Sequence, residues 1–360
     1  MPITAPSIDD LQALLNQGWG FQQHIGDSPT GRFALCRVWH GYIMAAYQSG
    51  SKVQVRFYDP YQQMGKNWIG STINLANQTT ATPVALCYLD LSPYLFVVMV
   101  STQVSGGVNG LAFSWAQLPE PPSDPSQSWD LSSVSFSSPH GGGPAGVLYG
   151  PSVQPLGGNI AIAYGQATGQ GNVATLQAYQ LAEFADPMGP VRPPVNQAMV
   201  RYNTTNAATN AAIATVCEPT LVQFGESLLC FTVNPQNFIE VTNLQAGTAS
   251  TVTTTTLQTD VAPAVTIDPT GTMLIVAYKQ PGSGGKPLMF TSSGDGVTFA
   301  APQNLKTGSQ QATKSAPAML ALNTGQILLA FQSGSGNGSY SVCPSKLWTQ
   351  PNGLNVVPAS

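Results

Sequence analysis

The sequence predicts an all-β fold, a six-bladed β-propeller of four-stranded antiparallel blades with a short N-terminal helix. Three observations predict it. A strand–turn–strand phrase returns six times, and repetition at this period implies a closed radial array. The apolar runs in that phrase are more continuous than simple alternation, so both strand faces should be buried. The 360 residues include 36 Gly and 29 Pro but only 8% charged side chains, a turn-rich composition that favours many short strands over helices. Residues 1–360 read as one domain.

The chain opens with a helical pattern over Ile8 to Gln17, with Ser7 as cap and Asp9-Asp10 in the first turn. Trp19 to Ile25 then reads as a strand that could close the ring on the last blade, so residues 1–30 hold the helix and a ring-closing segment. The C-terminal Leu354-Asn355-Val356-Val357 competes for that edge. The first phrase pairs Phe33 to Cys36 with Ile43 to Tyr47 around Trp39-His40-Gly41. The second pairs Val84 to Leu89 with Leu95 to Val100 about Ser92-Pro93. The third pairs Ser152-Val153 with Ile160 to Tyr164 across Gly157-Gly158, and the fourth Thr220 to Val222 with Leu228 to Phe231. The fifth, Ala262 to Tyr278, turns at Asp268-Pro269-Thr270-Gly271, and the sixth joins Ala318 to Leu320 with Ile327 to Phe331 through Asn323-Thr324-Gly325.

After each pair an alternating third strand is expected: Val53 to Phe57, Leu111 to Trp115, Ala174 to Tyr179, Phe238 to Val241, Leu288 to Phe290 and Tyr340 to Val342. Ile69 to Leu75 and Ala300 to Leu305 read as fourth strands. Equivalent positions Cys36, Cys87, Val153, Leu221, Val265 and Met319 lie 51, 66, 68, 44 and 54 residues apart, near the roughly 40–50 residues of blade repeats, with two units carrying inserted loops. The longest insertion, Asp186 to Thr215, is Pro- and Asn-rich, and such a loop is usually functional or disordered.

Composition excludes some partners. With a net charge of −4 and twelve scattered basic residues, no cluster neutralises a row of phosphates, so no nucleic-acid partner is expected. No apolar run is long enough for a membrane-spanning helix. Met1-Pro2-Ile3-Thr4-Ala5-Pro6 lacks the features of a secretory signal, although action outside the cell or at its surface is the expectation. The five cysteines, an odd number without a CxxC, read as buried reduced thiols. His24, His40 and His140 are isolated, so neither a metal nor another cofactor is expected. Oligomeric state stays open.

Ser293-Gly294-Asp295-Gly296-Val297-Thr298-Phe299 resembles the Asp-box of sialidase-type propellers, one residue short of the usual Ser-x-Asp-x-Gly-x-Thr-Trp. Degenerate relatives are Gly65-Lys66-Asn67-Trp68, Asp124 to Trp129, Glu183-Phe184 and Lys346-Leu347-Trp348. The resemblance implies structural turns, with Trp68, Trp129, Phe299 and Trp348 as core. Cys217-Glu218-Pro219-Thr220-Leu221 with Ser227-Leu228-Leu229 is similar to the Cys-x-Glu-Pro-Ser run of the same family, which implies Glu218 in the ring mouth. The family's carboxylate clamp of three arginines is not reproduced: no Arg follows Arg201, and Phe231-Thr232-Val233 stands where one is expected. Arg32-Phe33-Ala34-Leu35 resembles the first arginine motif without its Pro. A glycosidase also needs a second carboxylate roughly 5–10 Å away, and Asp90, Glu240 and Asp260 are only nominal partners for Glu218.

Three functions compete. The leading expectation is a lectin-like module recognising neutral glycan groups through aromatic and amide side chains at one mouth of the ring. Its ligand-binding candidates are Glu218, Arg32, Tyr47, Gln48, Tyr164, Gln166, Tyr278 and Gln280, with Phe331-Gln332 in the same repeat position. The alternatives are a divergent sialidase-like glycosidase or lyase using Glu218, and a structural or protein-interaction propeller.

Overall fold

The computed structural model describes residues 23–25, 28–61, 68–91, 94–105, 107–120, 129–156, 159–181, 199–307 and 309–343. In chain order the strands are β1 (Gln23–His24), β2 (Ala34–Arg37), β3 (Ile43–Ser49), β4 (Lys52–Tyr58), β5 (Trp68–Thr79), β6 (Ala85–Leu91), β7 (Tyr94–Ser105), β8 (Val108–Gln117) and β9 (His140–Ala145). Then come β10 (Val147–Leu156), β11 (Asn159–Ala167), β12 (Ala174–Leu181), β13 (Met199–Asn203), β14 (Ala214–Thr215), β15 (Thr220–Phe224), β16 (Ser227–Val233), β17 (Phe238–Ala246) and β18 (Thr251–Gln258). The last part holds β19 (Ala264–Ile267), β20 (Leu274–Lys279), β21 (Lys286–Ser293), β22 (Gln303–Asn304), β23 (Lys306–Thr307), β24 (Ser309–Gln310), β25 (Ala312–Thr313), β26 (Ala318–Ala321), β27 (Ile327–Gln332) and β28 (Gly338–Cys343).

The molecule is all-β, and its antiparallel sheets are arranged as a propeller. β2 to β5 and β6 to β9 are four-stranded meanders, β19 to β22 form a sheet joined by β25, and β26 to β28 take β1 as a fourth strand. β10 to β18 form one nine-stranded sheet, because β13 leaves β12 and pairs with β17 at Tyr202↔Ala246. β13, within the long insertion, thus welds two neighbouring units. β1 pairs Gln23↔Tyr340 and His24↔Ser339, so it completes the sheet that holds β26 to β28. Among the described residues the only helical turn is Trp39–Gly41. The expected helix at Ile8 to Gln17, the turns Ser92-Pro93 and Gly157-Gly158, most of the degenerate turn phrases and Leu354 to Val357 lie outside the described residues.

All six phrases are antiparallel hairpins: β2–β3, β6–β7, β10–β11, β15–β16, β19–β20 and β26–β27. Each first strand lies beside the next, and β26 returns to β2, so the six enclose a central axis. Successive residues of a strand point to opposite faces, and here each face meets a neighbouring hairpin. Met44 and Ala46 pack with Leu86, Val97 and Met99, whereas Ile43 and Tyr47 pack with Leu328, Ala330 and Tyr340. Four more clusters of the same kind join the remaining neighbours. This is the physical reason for the unbroken apolar runs; all six residues of β20 are buried.

Acidic side chains organise two of the tight turns. After β19, Asp268 is buried and accepts backbone N–H bonds from Thr270 (3.0 Å), Thr272 (2.8 Å) and Met273 (2.6 Å), besides the Thr270 hydroxyl. After β21, Asp295 Oδ1 accepts from the Ser293 hydroxyl (2.9 Å), Val297 N (2.8 Å) and Thr298 N (2.7 Å). Phe299 then packs edge-on to Phe231, 6.3 Å between centroids, and Trp129 is buried.

Asp268→Ala should lower stability by about 2–3 kcal/mol in urea titration, because buried N–H groups lose their acceptor, and Asp268→Asn by less. The bonds around Asp295, led by the Thr298 N–H, hold its carboxyl down at about 2. The depressed value means a contribution present above the ordinary carboxylate range and lost as pH falls through about 2. The melting difference between the wild type and Asp295→Asn should therefore be largest above about pH 4 and shrink below it. Its size should be about 1 kcal/mol or less, since the group is exposed and screened.

Candidate functional site

Strand register defines which residues are equivalent at the end of the axis where the first strands begin. Ala34, Ala85, Ser152, Thr220, Ala264 and Ala318 pair with Ala46, Val100, Ala163, Phe231, Ala277 and Ala330. Two positions earlier stand Arg32, Pro83, Gly150, Glu218, Ala262 and Ala316. Only Arg32 and Glu218 carry charge, and they belong to hairpins three apart in the ring. Gly150 has no room for a side chain, since a Cβ there would lie 2.7 Å from the Pro83 carbonyl oxygen.

Arg32 crosses the axis. Its Nη1 donates to the Thr220 hydroxyl at 3.0 Å and to the Pro219 carbonyl at 3.4 Å, which brings the guanidinium to the residues next to Glu218. Burial pushes the Arg32 pKa down, while Glu218 and Cys217 oppose that shift. Both Arg32 and Glu218 are half-buried. Tyr149 borders the same group: its acidity is weakened by burial and then by Cys217 and Glu218, and its hydroxyl donates to the Asn172 carbonyl. Below the opening, hydroxyls link successive first strands. Ser152 accepts from Leu221 N (2.9 Å), Thr220 donates to Pro263 O (2.7 Å), and Thr266 accepts from Ala321 N (3.0 Å).

The structure places the remaining candidates differently from expectation. Tyr47, Tyr164 and Tyr278 are 0%, 0% and 4% exposed, and each wedges between neighbouring hairpins. Tyr47 lies against Phe33 with centroids 5.1 Å apart, Tyr164 stacks on Tyr179 at 6.2 Å, and burial pushes Tyr278 up to about 12. These rings are core, because the strand end that seemed to overhang the mouth is covered by the adjacent unit. The glutamines beside them act as staples. Gln48 donates to Thr80 O (3.2 Å), Gln166 to Ala145 O (3.2 Å) and Gln332 to Pro29 O (2.8 Å). Lys279 fills this role next to Tyr278, paired with Asp260 at 2.7 Å and donating to Gly282 O. Gln280 is exposed.

None of the nominal carboxylate partners joins Glu218. Glu240 accepts from Asn234 Nδ2 (2.9 Å) and the Thr254 hydroxyl (3.1 Å); Asp260 is held by Lys279 and Gly282 N; Asp90 lies near the far end of β6. Asp59, just after β4, is buried at that same far end. All five thiols are free and buried, and no cluster of three metal-ligating side chains stands among the described residues. No helix there is long and apolar enough to cross a membrane.

One pattern escaped the sequence reading. Thr215, Thr259 and Thr313 stand four residues before Pro219, Pro263 and Pro317, and each hydroxyl donates to the carbonyl two residues ahead, at 2.8, 3.2 and 2.9 Å. These bonds set the backbone that delivers Glu218 and its counterparts to the opening. The Thr-x-x-x-Pro spacing at Thr215, Thr259 and Thr313 was the available signal.

No protein-family model and no curated protein sequence matches the chain. Solved structures do. A mutant of the Aleuria aurantia lectin, in complex with alpha-methyl-L-fucoside, is similar over 92% of this chain and 100% of its own, with a TM-score of 0.53 and 11% identity. The GH93 alpha-L-arabinofuranosidase of Fusarium graminearum, in complex with arabinobiose, covers 90% and 97% at a TM-score of 0.53 and 12% identity. Trypanosoma rangeli sialidase aligns over 91% of this chain but 57% of its own, at 0.51 and 9%. At these identities the likeness is one of fold, and that fold is the β-propeller.

Arg32→Ala should lower stability by about 1.5–3 kcal/mol, since a charged group bonded to two partners leaves and Glu218 loses its counter-charge. Arg32→Lys should restore only part of this in thermal melts, because an ammonium cannot reproduce the planar fork.

Proposed function

We propose that this chain is a six-bladed, sialidase-like propeller that binds an uncharged glycan at the Arg32–Glu218 end of its axis, without hydrolysing it. The closed cycle of six first strands supports the blade count, with the nine-stranded sheet read as two blades welded by β13. The hydrogen-bonded turn at Ser293 to Phe299 supports the Asp-box reading, as a structural element.

The observation that carries the functional reading is the meeting of Arg32 with the Glu218 segment, bordered by Tyr149. A guanidinium, a carboxylate, a hydroxyl and an aromatic ring supply donors, acceptors and a stacking face, while the opposite charges cancel. That set suits a sugar without a carboxylate. The same observation weighs against sialidase chemistry, since Arg32, the one arginine at this end among the described residues, is engaged with the protein's own carbonyl and hydroxyl. A retaining or inverting mechanism also lacks support: among the described residues Glu240 and Asp260 are bound elsewhere, and Asp90 lies near the far end of β6. Gln48 and Gln166 keep amide oxygens as acceptors near the rim, and exposed Gln280 adds a third amide; the buried tyrosines fix the rim and make no ligand contact. Methyl α-L-fucoside and arabinobiose, held in two structures of like fold, are suitable first probes.

A glycan array should show binding, with no turnover of aryl-glycosides, and Glu218→Gln should weaken binding at least about tenfold through loss of a charged hydrogen-bond acceptor. Hydrolysis that disappears in Glu218→Gln would establish the enzyme reading instead. Silence on both assays, with a protein partner recovered by affinity capture, would favour an interaction propeller.

A further inference from the structure

We propose a second sugar-binding site at the opposite end of the axis, built around Tyr61. Arg37 ends β2 there, and its guanidinium donates to the carbonyl of Ala321 at the end of β26, tying the first unit to the last. Tyr61 follows β4 and is 60% exposed, the only exposed Phe, Trp or Tyr among the described residues. It is nevertheless held firmly. Its backbone N–H donates to Asp59 Oδ1 at 2.9 Å, and the Asn323 side chain lies beside its phenol. The Asp59 carboxylate is buried with the Tyr42 phenol beside it, and the Tyr42 ring packs edge-on to Trp129, 5.5 Å between centroids. Asn323 is fixed by Gly41, where φ is +81° and a Cβ would sit 2.6 Å from the Asn323 side chain.

A solvated turn has no need of this locking. An exposed aromatic face kept in one orientation is what stacking on a sugar ring requires, because ordering costs are met in advance. Around the face stand a guanidinium, an amide and a buried carboxylate. Arg37 and Asp59 cancel in charge, so the surface suits a neutral ligand. The exposed ring with the Arg37 and Asn323 side chains beside it has the scale of a monosaccharide, and Asp59 supports it from below. A stable protein interface needs about 800 Å² from each partner, which one such ring does not approach. The ligand class rests on the glycan-binding reading of the protein; the location rests on these contacts alone.

Tetranitromethane nitration of Tyr61, followed by peptide mass mapping, tests the site in the full chain. Methyl α-L-fucoside, methyl β-D-galactoside, methyl α-D-mannoside and arabinobiose are the probes. At least one should slow Tyr61 nitration about threefold once its concentration is about twice Kd, by mass action. The protection should persist in Glu218→Gln, and Asn323→Ala should abolish it while Tyr61 still reacts. An unchanged rate with all four sugars would overturn the proposal. Protection lost in Glu218→Gln would also overturn it, since the sugar would then act through the Arg32 end. Loss of glycan-array binding in Glu218→Gln with protection retained would support two separate sites, and array binding unchanged there with protection retained would leave Tyr61 as the site and sink the reading of Glu218.

Discussion

Two-sided burial of the six inner hairpins is the constraint on which the rest of this structure depends. Each hairpin is apolar on both faces, so none can be stable without a neighbour on either side. An open row of such units would leave two apolar faces in water. Closure is the remaining solution, and the pairing of β1 with β28 completes the sheet that holds β26 to β28. Tyr58, Trp68 and Tyr340 stack edge-on between that sheet and the β2–β5 sheet, with Arg56 above Trp68. Large rings at the seam give much apolar contact for little lost side-chain freedom.

Closure has an electrostatic consequence. Backbone at the axis is too crowded for long side chains on most strands, as Gly150 and the Ala and Pro positions show, so polarity there comes from short hydroxyls that bond the neighbouring strand. Arg32 and Arg37, just before and at the end of β2, are long enough to reach across, one to the Glu218 segment and one to Ala321. The two proposed functional surfaces are therefore properties of one strand's ends. Low charge elsewhere means that these few ionised groups dominate the local field.

Much of the fold was legible because its cause leaves a mark in sequence. Burial on both faces writes an unbroken apolar run, and each of the six runs was found as a hairpin. Less of the site could be read. Arg32 was not aligned with Glu218 because the first copy has Phe33 where four others have Pro, and only strand register reveals the equivalence. The terminal tyrosines were placed at the mouth because an aromatic at a strand end looks the same whether it overhangs a rim or wedges between units; their neighbours come from distant sequence. Tyr61 carried no local signal, since its exposure and fixation depend on Asn323 and Arg37, which the chain brings together only on folding.

The central claim is that Arg32 and Glu218 act together across the axis. A double-mutant cycle with Arg32→Ala, Glu218→Gln and the double variant, read by denaturant unfolding, measures this directly. A coupling energy of about 1 kcal/mol or more is expected, and effects that add to within about 0.5 kcal/mol would contradict it.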